Sequence, residues 1–421
     1  MKILWITNIL FPEAEILITN KGELRASGGW MLGAADALLN AGNFLSLSVA
    51  SVSPLVEQLT VVKGKQITYY VLPYGKGNSY PNKEYEPIWV NVYNQCQADI
   101  VHIHGTEYSH GLAFLNACPN VKSVISIQGL TSVYSSYYDS GLRYSQIIRN
   151  FTLRDILRGT IFEGKRKFAK RGKSVEIPML SKVNHIIGRT SWDRAHAWAI
   201  NPGARYYFCN EILRADFYDG SKWDYNQCEK HTIFLSQAGY PLKGLHQVLR
   251  AMPLILRHYP DAKIKVAGAD ITKYATWRDK LRISGYGKII RGMIRVMNLE
   301  DHVEFLGPLN AEQMKQAYLS SNVFVCPSSI ENSPNSLGEA QLLGVPCVAA
   351  YVGGVSDMMK NYEKYMYRFE EIEMLAFNVI DIFNTSKNLG DVGMSTTASI
   401  RHDAILNTNQ LLAIYNEIIA E

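Results

Sequence analysis

The sequence predicts an α/β protein built from two doubly wound parallel sheets. Three observations carry that expectation. Short apolar runs of strand length alternate with stretches of helical period through the first half of the chain. The alternation restarts after a polar, aromatic, aperiodic stretch at residues 215–230. The composition, 47% hydrophobic and 19% charged over 421 residues, is enough for two or three buried cores and excludes a disordered chain. The 31 Gly and 15 Pro are scattered, which excludes a fibrous one.

Residues 2–8 read as the first strand. They lack a small-residue cleavage site, so they are expected to be a buried strand rather than a signal peptide. A long polar loop follows. Residues 29–41 read as a helix with Leu32, Ala35, Leu38 and Leu39 on one face and Gly42 as its stop. Further strands are expected at 44–52, 66–72, 99–104, 123–127 and 185–188, with helical stretches between several of them. Residues 215–230 read as a linker. Beyond it, strands are expected at 232–236, 263–267, 303–306, 323–326 and 347–349. A helix over 243–258 carries Leu245, Val248, Leu249, Met252, Ile255 and Leu256 at helical spacing, and Pro253 should kink it. An amphipathic helix over 404–419 closes the chain. Two such domains leave a cleft, and ligands bind beyond the carboxyl ends of the strands.

The six cysteines are dispersed, with no C-x-x-C pair, which fits a reducing cytoplasm and suggests neither a zinc site nor a disulfide framework. No uncharged apolar run reaches transmembrane length. Net charge is only +5, but residues 143–176 hold ten Lys/Arg against three acids. Apolar residues, among them Ile147, Phe151, Ile156 and Leu157, interleave with those charges. A solvated helix face would account for the pattern. So would docking on an anionic membrane surface, which makes a peripheral location on the cytoplasmic face an expectation. No reading motif accompanies the charge, so nucleic acid is not expected as a partner.

The most informative run follows the strand at 323–326: Ser328-Ser329-Ile330-Glu331-Asn332-Ser333-Pro334-Asn335-Ser336-Leu337-Gly338-Glu339-Ala340. Ser333 can cap a helix that has Pro334 at its first position. The N–H groups of Asn335 and Ser336 would then point out from the helix start, where a phosphate fits. Glu331 would sit in the loop and Glu339 inside the helix. Spacing alone favours a solvated loop charge and a helix-surface acid. Downstream come Gly344-Val345-Pro346 and Gly353-Gly354.

The whole run resembles the donor-binding signature of family 4 retaining glycosyltransferases of the GT-B fold. That signature is Glu, seven residues, Glu-Ala, then Gly-Val-Pro, a strand and Gly-Gly. Lys243-Gly244 is similar to the family's Lys-Gly pair, and Ala26-Ser27-Gly28-Gly29 to its N-terminal glycine loop. Asn210 and Phe217 resemble its junction pattern, and the closing helix with Tyr415 its final helix. The likeness covers most of the chain and is more specific in the C-terminal half.

The resemblance implies an acceptor-binding domain at 1–214 with the basic insert 143–176, a linker at 215–230, a nucleotide-sugar domain at 231–398, and a helix at 399–421 crossing back. It implies that Glu339 binds the ribose hydroxyls, Glu331 faces the donor sugar, and Lys243 neutralises the diphosphate leaving group. It implies that Asn335, Ser336, Gly353, Gly354, Gly28 and Gly29 let backbone approach the donor. The reaction would be retaining, metal-independent hexosyl transfer, with a UDP- or GDP-linked sugar as co-substrate and no further cofactor. The acceptor would be a glycan or lipid-linked glycan of the cell surface.

Two positions depart from the family pattern. Ala238 stands where an Arg is usual, five residues before the Lys, and Gln128 stands where a His is frequent. They leave room for a catalytically degenerate nucleotide-sugar-binding protein, and a soluble transferase with a small acceptor is the other alternative. Gln128 can still hydrogen-bond a sugar. His102 and His104 lie on one strand face without an evident third metal ligand. His104 is expected on the acceptor side, as are Arg143 and Arg149, and Glu107 is the candidate base.

Overall fold

The computed structural model describes residues 1–20, 29–42, 45–74, 83–387 and 394–421. Gly28, with Ala26 and Ser27, lies outside the described residues. The chain divides into two units. One comprises Met1–Val133, Ala169–Leu213 and His402–Glu421, the other Tyr134–Phe168 and Arg214–Arg401.

The first unit holds an eight-stranded sheet: β1 Lys2–Thr7, β2 Ser46–Ser53, β3 Thr60–Lys63, β4 Ile67–Pro73, β5 Ile100–His104, β6 Ser123–Ser126, β7 His185–Gly188 and β8 Arg205–Phe208. Their order is β3-β4-β2-β1-β5-β6-β7-β8. All pairings are parallel except that of β3 with β4. A parallel sheet covered on both faces needs strands that are apolar throughout, and β1 and β5 are buried along almost their whole length. The helix Ala404–Ala420 buries Ile414, Tyr415 and Ile418 in this core, and Trp5 Nε1 donates to the Tyr415 hydroxyl at 3.0 Å.

The second unit holds a six-stranded sheet: β9 Glu229–Leu235, β10 Lys263–Ala267, β11 Val303–Gly307, β12 Ser321–Cys326, β13 Cys347–Ala350 and β14 Met366–Tyr367. The order is β11-β10-β9-β12-β13-β14, parallel throughout. The helix Leu245–Leu256 packs between strands β9 and β10 in sequence, with Leu245, Val248, Leu249, Met252 and Ile255 buried and Pro253 inside it.

Several elements differ from the sequence reading. The expected long polar loop after β1 contains the helix Pro12–Thr19. Pro12 starts it, and Glu13 ties it to the sheet by accepting from the Tyr69 hydroxyl at 2.8 Å and the Lys65 N–H at 3.0 Å. The edge strands β3 and β8 mix exposed and more buried residues instead of forming an apolar run, and β14 has only two residues. Within 215–230, Trp223 donates from its backbone to Leu343 O and from its indole to Ser321 O, both at 2.8 Å.

Residues 134–168, read as part of the N-terminal domain, instead belong to the second unit. Hydrogen bonds between residues distant in sequence hold them there. His246 Nε2 meets Ser140 O at 2.9 Å. The Ser140 and Ser329 hydroxyls meet at 2.9 Å. The Asp155 carboxylate accepts from the Gly285 N–H at 2.9 Å. No strand or helix period in the sequence reports such attachments.

Candidate functional site

In the second sheet, β9 and β12 are neighbours from which the chain winds outward in opposite directions. The loops that follow them therefore diverge at a topological switch point, where open α/β sheets bind ligands. Lys243 ends the loop after β9 in a short 3-10 turn, Pro241–Lys243. Glu331 lies in the loop after β12. Their side chains meet at 2.5 Å, Lys243 Nζ on Glu331 Oε1. The Ser328 hydroxyl donates to the same oxygen at 2.8 Å. Burial alone would lower the Lys243 ammonium, but the Glu331 carboxylate and then the Tyr240 ring outweigh it and push the group up, so Lys243 stays charged.

The two loops are locked together by backbone. The Ser329 N–H donates to Leu242 O at 2.9 Å. Gly244 adopts φ 71°, and a Cβ there would overlap Pro327 O. Gly353 adopts φ 53°, and a Cβ there would overlap Glu331 O, while the Gly354 N–H donates to Glu331 O at 3.0 Å. The Gly-Gly pair thus fixes the backbone of Glu331. Gly353→Ala combines an unfavourable φ with that overlap. It should cost about 2–3 kcal/mol, or roughly 4–10 °C of melting midpoint in differential scanning calorimetry.

The helix Asn335–Leu342 presents Glu339 from its buried face. The capping differs from the sequence reading: Pro334 is the cap and no side chain bonds the helix start. The Ser333 hydroxyl instead contacts Met358 Sδ and accepts from Arg401 Nη2 at 3.3 Å. Pro334 has a carbonyl but no N–H, and that carbonyl accepts from Leu337 and Gly338. The N–H groups of Asn335 and Ser336 precede the first intrahelical bond and face outward along the helix axis. The Asn335 Oδ1 is buried with no hydrogen-bond partner among the described residues.

Glu339 is held by Arg214 in a bidentate pair, Nε to Oε1 at 2.7 Å and Nη2 to Oε2 at 2.8 Å. Burial pushes the Glu339 carboxyl up and the guanidinium opposes it. An ionised carboxylate has about four lone-pair sites, so two remain for hydroxyls. Arg214 and Arg401 escaped the sequence reading. Arg214 falls between Asn210 and Phe217, in a segment that was otherwise flagged. Nothing in the sequence spacing marks Arg401, which sits beside Ser333. Ala238 is buried, and Lys243, Arg214 and Arg401 supply the cations near these loops.

In the first unit, a cavity of about 60 Å³ is lined by Trp5, Trp30, His102, His104, Arg189 and Glu211 among others, at the carboxyl end of β5. His102 is fully engaged: Nδ1 meets the Tyr415 hydroxyl at 2.5 Å and Nε2 the Ser126 hydroxyl. Both ring nitrogens of His102 are thus taken up by hydroxyls, and the Tyr415 hydroxyl also accepts from Trp5 Nε1. A His102/His104 metal pair does not fit these bonds. His104 stacks on His102 at 3.9 Å, and both its ring nitrogens lack partners among the described residues. Burial, then the Arg189 charge, lowers His104 to about 3, so it is a neutral hydrogen-bonding group. Arg189 pairs with Glu211 at 2.6 Å.

Glu107 and Gln128 flank Gly105 (φ 90°). A Cβ on that glycine would lie 2.5 Å from Glu107 Oε2 and 3.6 Å from the Gln128 carboxamide. Burial first, and then Glu176, raise the Glu107 carboxyl to about 7. Glu176 is itself buried in a π-helical turn, Gly172–Glu176, and accepts from the Thr131 N–H at 2.6 Å and the Ser132 N–H at 3.0 Å. It too escaped the sequence reading. Gly29 opens the helix Gly29–Asn40 of this unit. Arg143 and Arg149 are exposed residues of the second unit.

The family model for glycosyl transferases group 1 matches residues 222–393. An uncharacterized glycosyltransferase of Methanocaldococcus jannaschii is 32% identical over 133 residues, 32% of this chain and 30% of that protein. A sulfoquinovosyl transferase of Arabidopsis thaliana is 29% identical over 116 residues, 28% of this chain and 19% of that protein. The chain thus matches only about a third or less of the length of these relatives. Solved structures align over nearly the full chain. Sucrose-phosphate synthase of Thermosynechococcus elongatus gives a TM-score of 0.66 at 14% identity, covering 99% of each chain. The Anabaena protein HepE in complex with UDP gives 0.63 at 16% identity, covering 99% of this chain and 100% of that one. Residues 222–393 therefore carry a glycosyl transferases group 1 domain, within a chain whose two Rossmann-like units have the GT-B fold.

Proposed function

We propose that the protein is a retaining family 4 glycosyltransferase that moves a sugar from a nucleotide-diphosphate donor to a glycan or lipid-linked acceptor of cell-surface polysaccharide. The observation that carries this reading is the pairing of Lys243 with Glu331 at the switch point of the second sheet, one helix away from the Arg214-held Glu339. In this reading the ribose hydroxyls donate to the free lone pairs of Glu339. The diphosphate takes the N–H groups of Asn335 and Ser336 and the Lys243 charge, so protein groups rather than a metal neutralise it. Glu331 accepts from donor sugar hydroxyls. The bond between the anomeric carbon and the phosphate oxygen breaks, and the acceptor oxygen bonds that carbon on the same face. Negative charge grows on the leaving diphosphate, where the fixed Lys243 cation stabilises the transition state more than the ground state. A UDP-linked donor is the first choice, since solved relatives bind UDP and UDP-glucose.

On the acceptor side, Glu107 takes the proton of the attacking hydroxyl, with Gln128 and neutral His104 as hydrogen-bonding neighbours. A base must be ionised, so kcat/KM should rise with pH through a midpoint near 7, the value to which Glu107 is raised. Glu107→Gln should remove that limb and lower kcat by about 10²–10⁴-fold. Stability runs the other way. A carboxyl raised on folding contributes stability that is present below its unfolded value and lost as pH rises toward 7. The pH-dependence of the melting midpoint in Glu107→Gln should therefore be flatter between pH 4.5 and 7.

The basic segment 143–176 would hold the enzyme at the anionic cytoplasmic face of a membrane, next to a lipid-linked acceptor. No helix among the described residues is long and apolar enough to cross one. Nucleotide release from UDP- and GDP-sugars, with the product anomer read by NMR, tests the activity. Release with retained configuration is expected. Inversion, or no release with any acceptor glycan while donor still binds, would contradict it.

A further inference from the structure

Two short helices of the second unit share one sequence pattern. Thr152-Leu153-Arg154-Asp155-Ile156-Leu157-Arg158 and Thr276-Trp277-Arg278-Asp279-Lys280-Leu281-Arg282 both read Thr, apolar, Arg, Asp, any residue, Leu, Arg. Both fold the same way. The helix Leu153–Arg158 is capped by Thr152 and the helix Trp277–Arg282 by Thr276, each in a reciprocal capping box with its Asp. The boxes turn both acids toward backbone N–H groups. Asp155 accepts from Thr152 and Gly285, and Asp279 from Thr276. What remains outward is apolar and cationic.

The two helices lie side by side around an open groove of about 450 Å³ lined by Arg154, Leu157, Arg158, Leu281 and Arg282. The two helices expose more apolar surface than a solvated face requires. Leu157 is 77% exposed, Trp277 67% and Ile156 64%. Five cations, Arg154, Arg158, Arg278, Lys280 and Arg282, stand on the same twelve helical residues. An exposed tryptophan beside leucines and a ring of cations is the chemistry of a headgroup-level anchor. The apolar side chains reach the acyl boundary, and the cations meet phosphates. An acidic protein surface would match the charge but leave Trp277, Leu157 and Ile156 without a counterpart of matching chemistry.

We infer that these twinned helices form the surface by which the protein docks on an anionic lipid bilayer, with headgroup phosphates held among Arg154, Arg158 and Arg282. This rests on the membrane reading above and sharpens it. Half of the docking surface comes from residues 277–282, far outside the basic segment 143–176. The lysine-rich helix Ile161–Arg171 exposes no large apolar side chain, so it adds charge without insertion and is the lesser contributor.

Flotation of the full chain with phosphatidylcholine vesicles, and with phosphatidylcholine–phosphatidylglycerol vesicles, tests it. The wild type should float only with the anionic vesicles, and less as salt is raised. Arg158→Ala with Arg282→Ala should weaken that binding about 25-fold, at roughly fivefold per cation. Trp277→Ser should weaken it severalfold, and Arg166→Ala with Lys167→Ala by less than twofold. All five positions are exposed, and unchanged melting midpoints would show that the variants fold. Loss of binding in the Arg166/Lys167 variant, with wild-type binding in the other two, would overturn this surface while leaving the membrane reading intact. Wild-type protein that floats with neither vesicle would overturn both. Self-association abolished by Trp277→Ser, without vesicle binding, would assign the surface to a second copy and overturn the inference.

Discussion

Glu339→Ala should abolish the stabilisation that a nucleotide confers on the protein in a thermal-shift experiment, and weaken donor binding by roughly 100-fold or more. The carboxylate is buried and held in one orientation by the bidentate Arg214 contact. Its remaining lone pairs are therefore pre-aimed. Each hydrogen bond from a hydroxyl to a charged acceptor is worth about 1.5–3 kcal/mol, and the ribose supplies two. Removing the carboxylate also leaves Arg214 without its partner. Arg214 keeps some solvent access, so that cost should be about 1–3 kcal/mol rather than the full penalty of a buried charge. Two effects are thus expected from one substitution, and Arg214→Ala separates them. It should lower the melting midpoint about as much, but leave more of the nucleotide affinity. Equal loss of affinity in both variants would place Arg214 itself on the nucleotide.

Lys243→Ala should lower kcat by about 10²–10³-fold with a smaller change in KM. The ammonium is fixed before any substrate arrives, by Glu331 and by the turn that Gly244 permits. A cation that need not reorganise stabilises the charge that develops on the leaving diphosphate. Lys243→Arg should not restore the rate. The planar fork is longer and wider than the ammonium, and the pocket between Glu331, Tyr240 and the Pro327 loop is built to the Lys. A rate loss carried wholly by KM in steady-state kinetics would show that Lys243 binds ground and transition state alike.

Legibility followed how continuous the apolar run of each segment is. Strands β1, β5, β7, β10 and β12 are apolar runs bounded by polar or turn residues, and their positions follow from that pattern to within a few residues. The edge strands β3, β8 and β14 and the helix Pro12–Thr19 carry no such run, and tertiary contacts such as Glu13 with Tyr69 decide them. Residues 134–168 sit with the second unit through Ser140, Ser329, His246 and Asp155. Those are single hydrogen bonds between distant residues, invisible to periodicity.

The site divides along the same line. Glu331, Glu339 and the Gly-Gly pair form a local signature with fixed spacing, Lys243-Gly244 is a separate pair, and the fold brings the two loops together at one end of the sheet. Arg214, Arg401 and Glu176 act through partners far away in sequence, so no spacing marks them. Ser333 reads as a helix cap but contacts Met358 and Arg401, because Pro334 occupies the capping position.

The most direct measurement is a titration of UDP, GDP and ADP, each followed by calorimetry, into wild-type protein, Glu339→Gln and Lys243→Ala. The account predicts binding of one uracil or guanine nucleotide. It also predicts a large loss in Glu339→Gln, where ribose contacts weaken, and a smaller one in Lys243→Ala that disappears when the ligand is the nucleoside without its phosphates. Undiminished binding in both variants would contradict a donor site at the switch point of the second sheet.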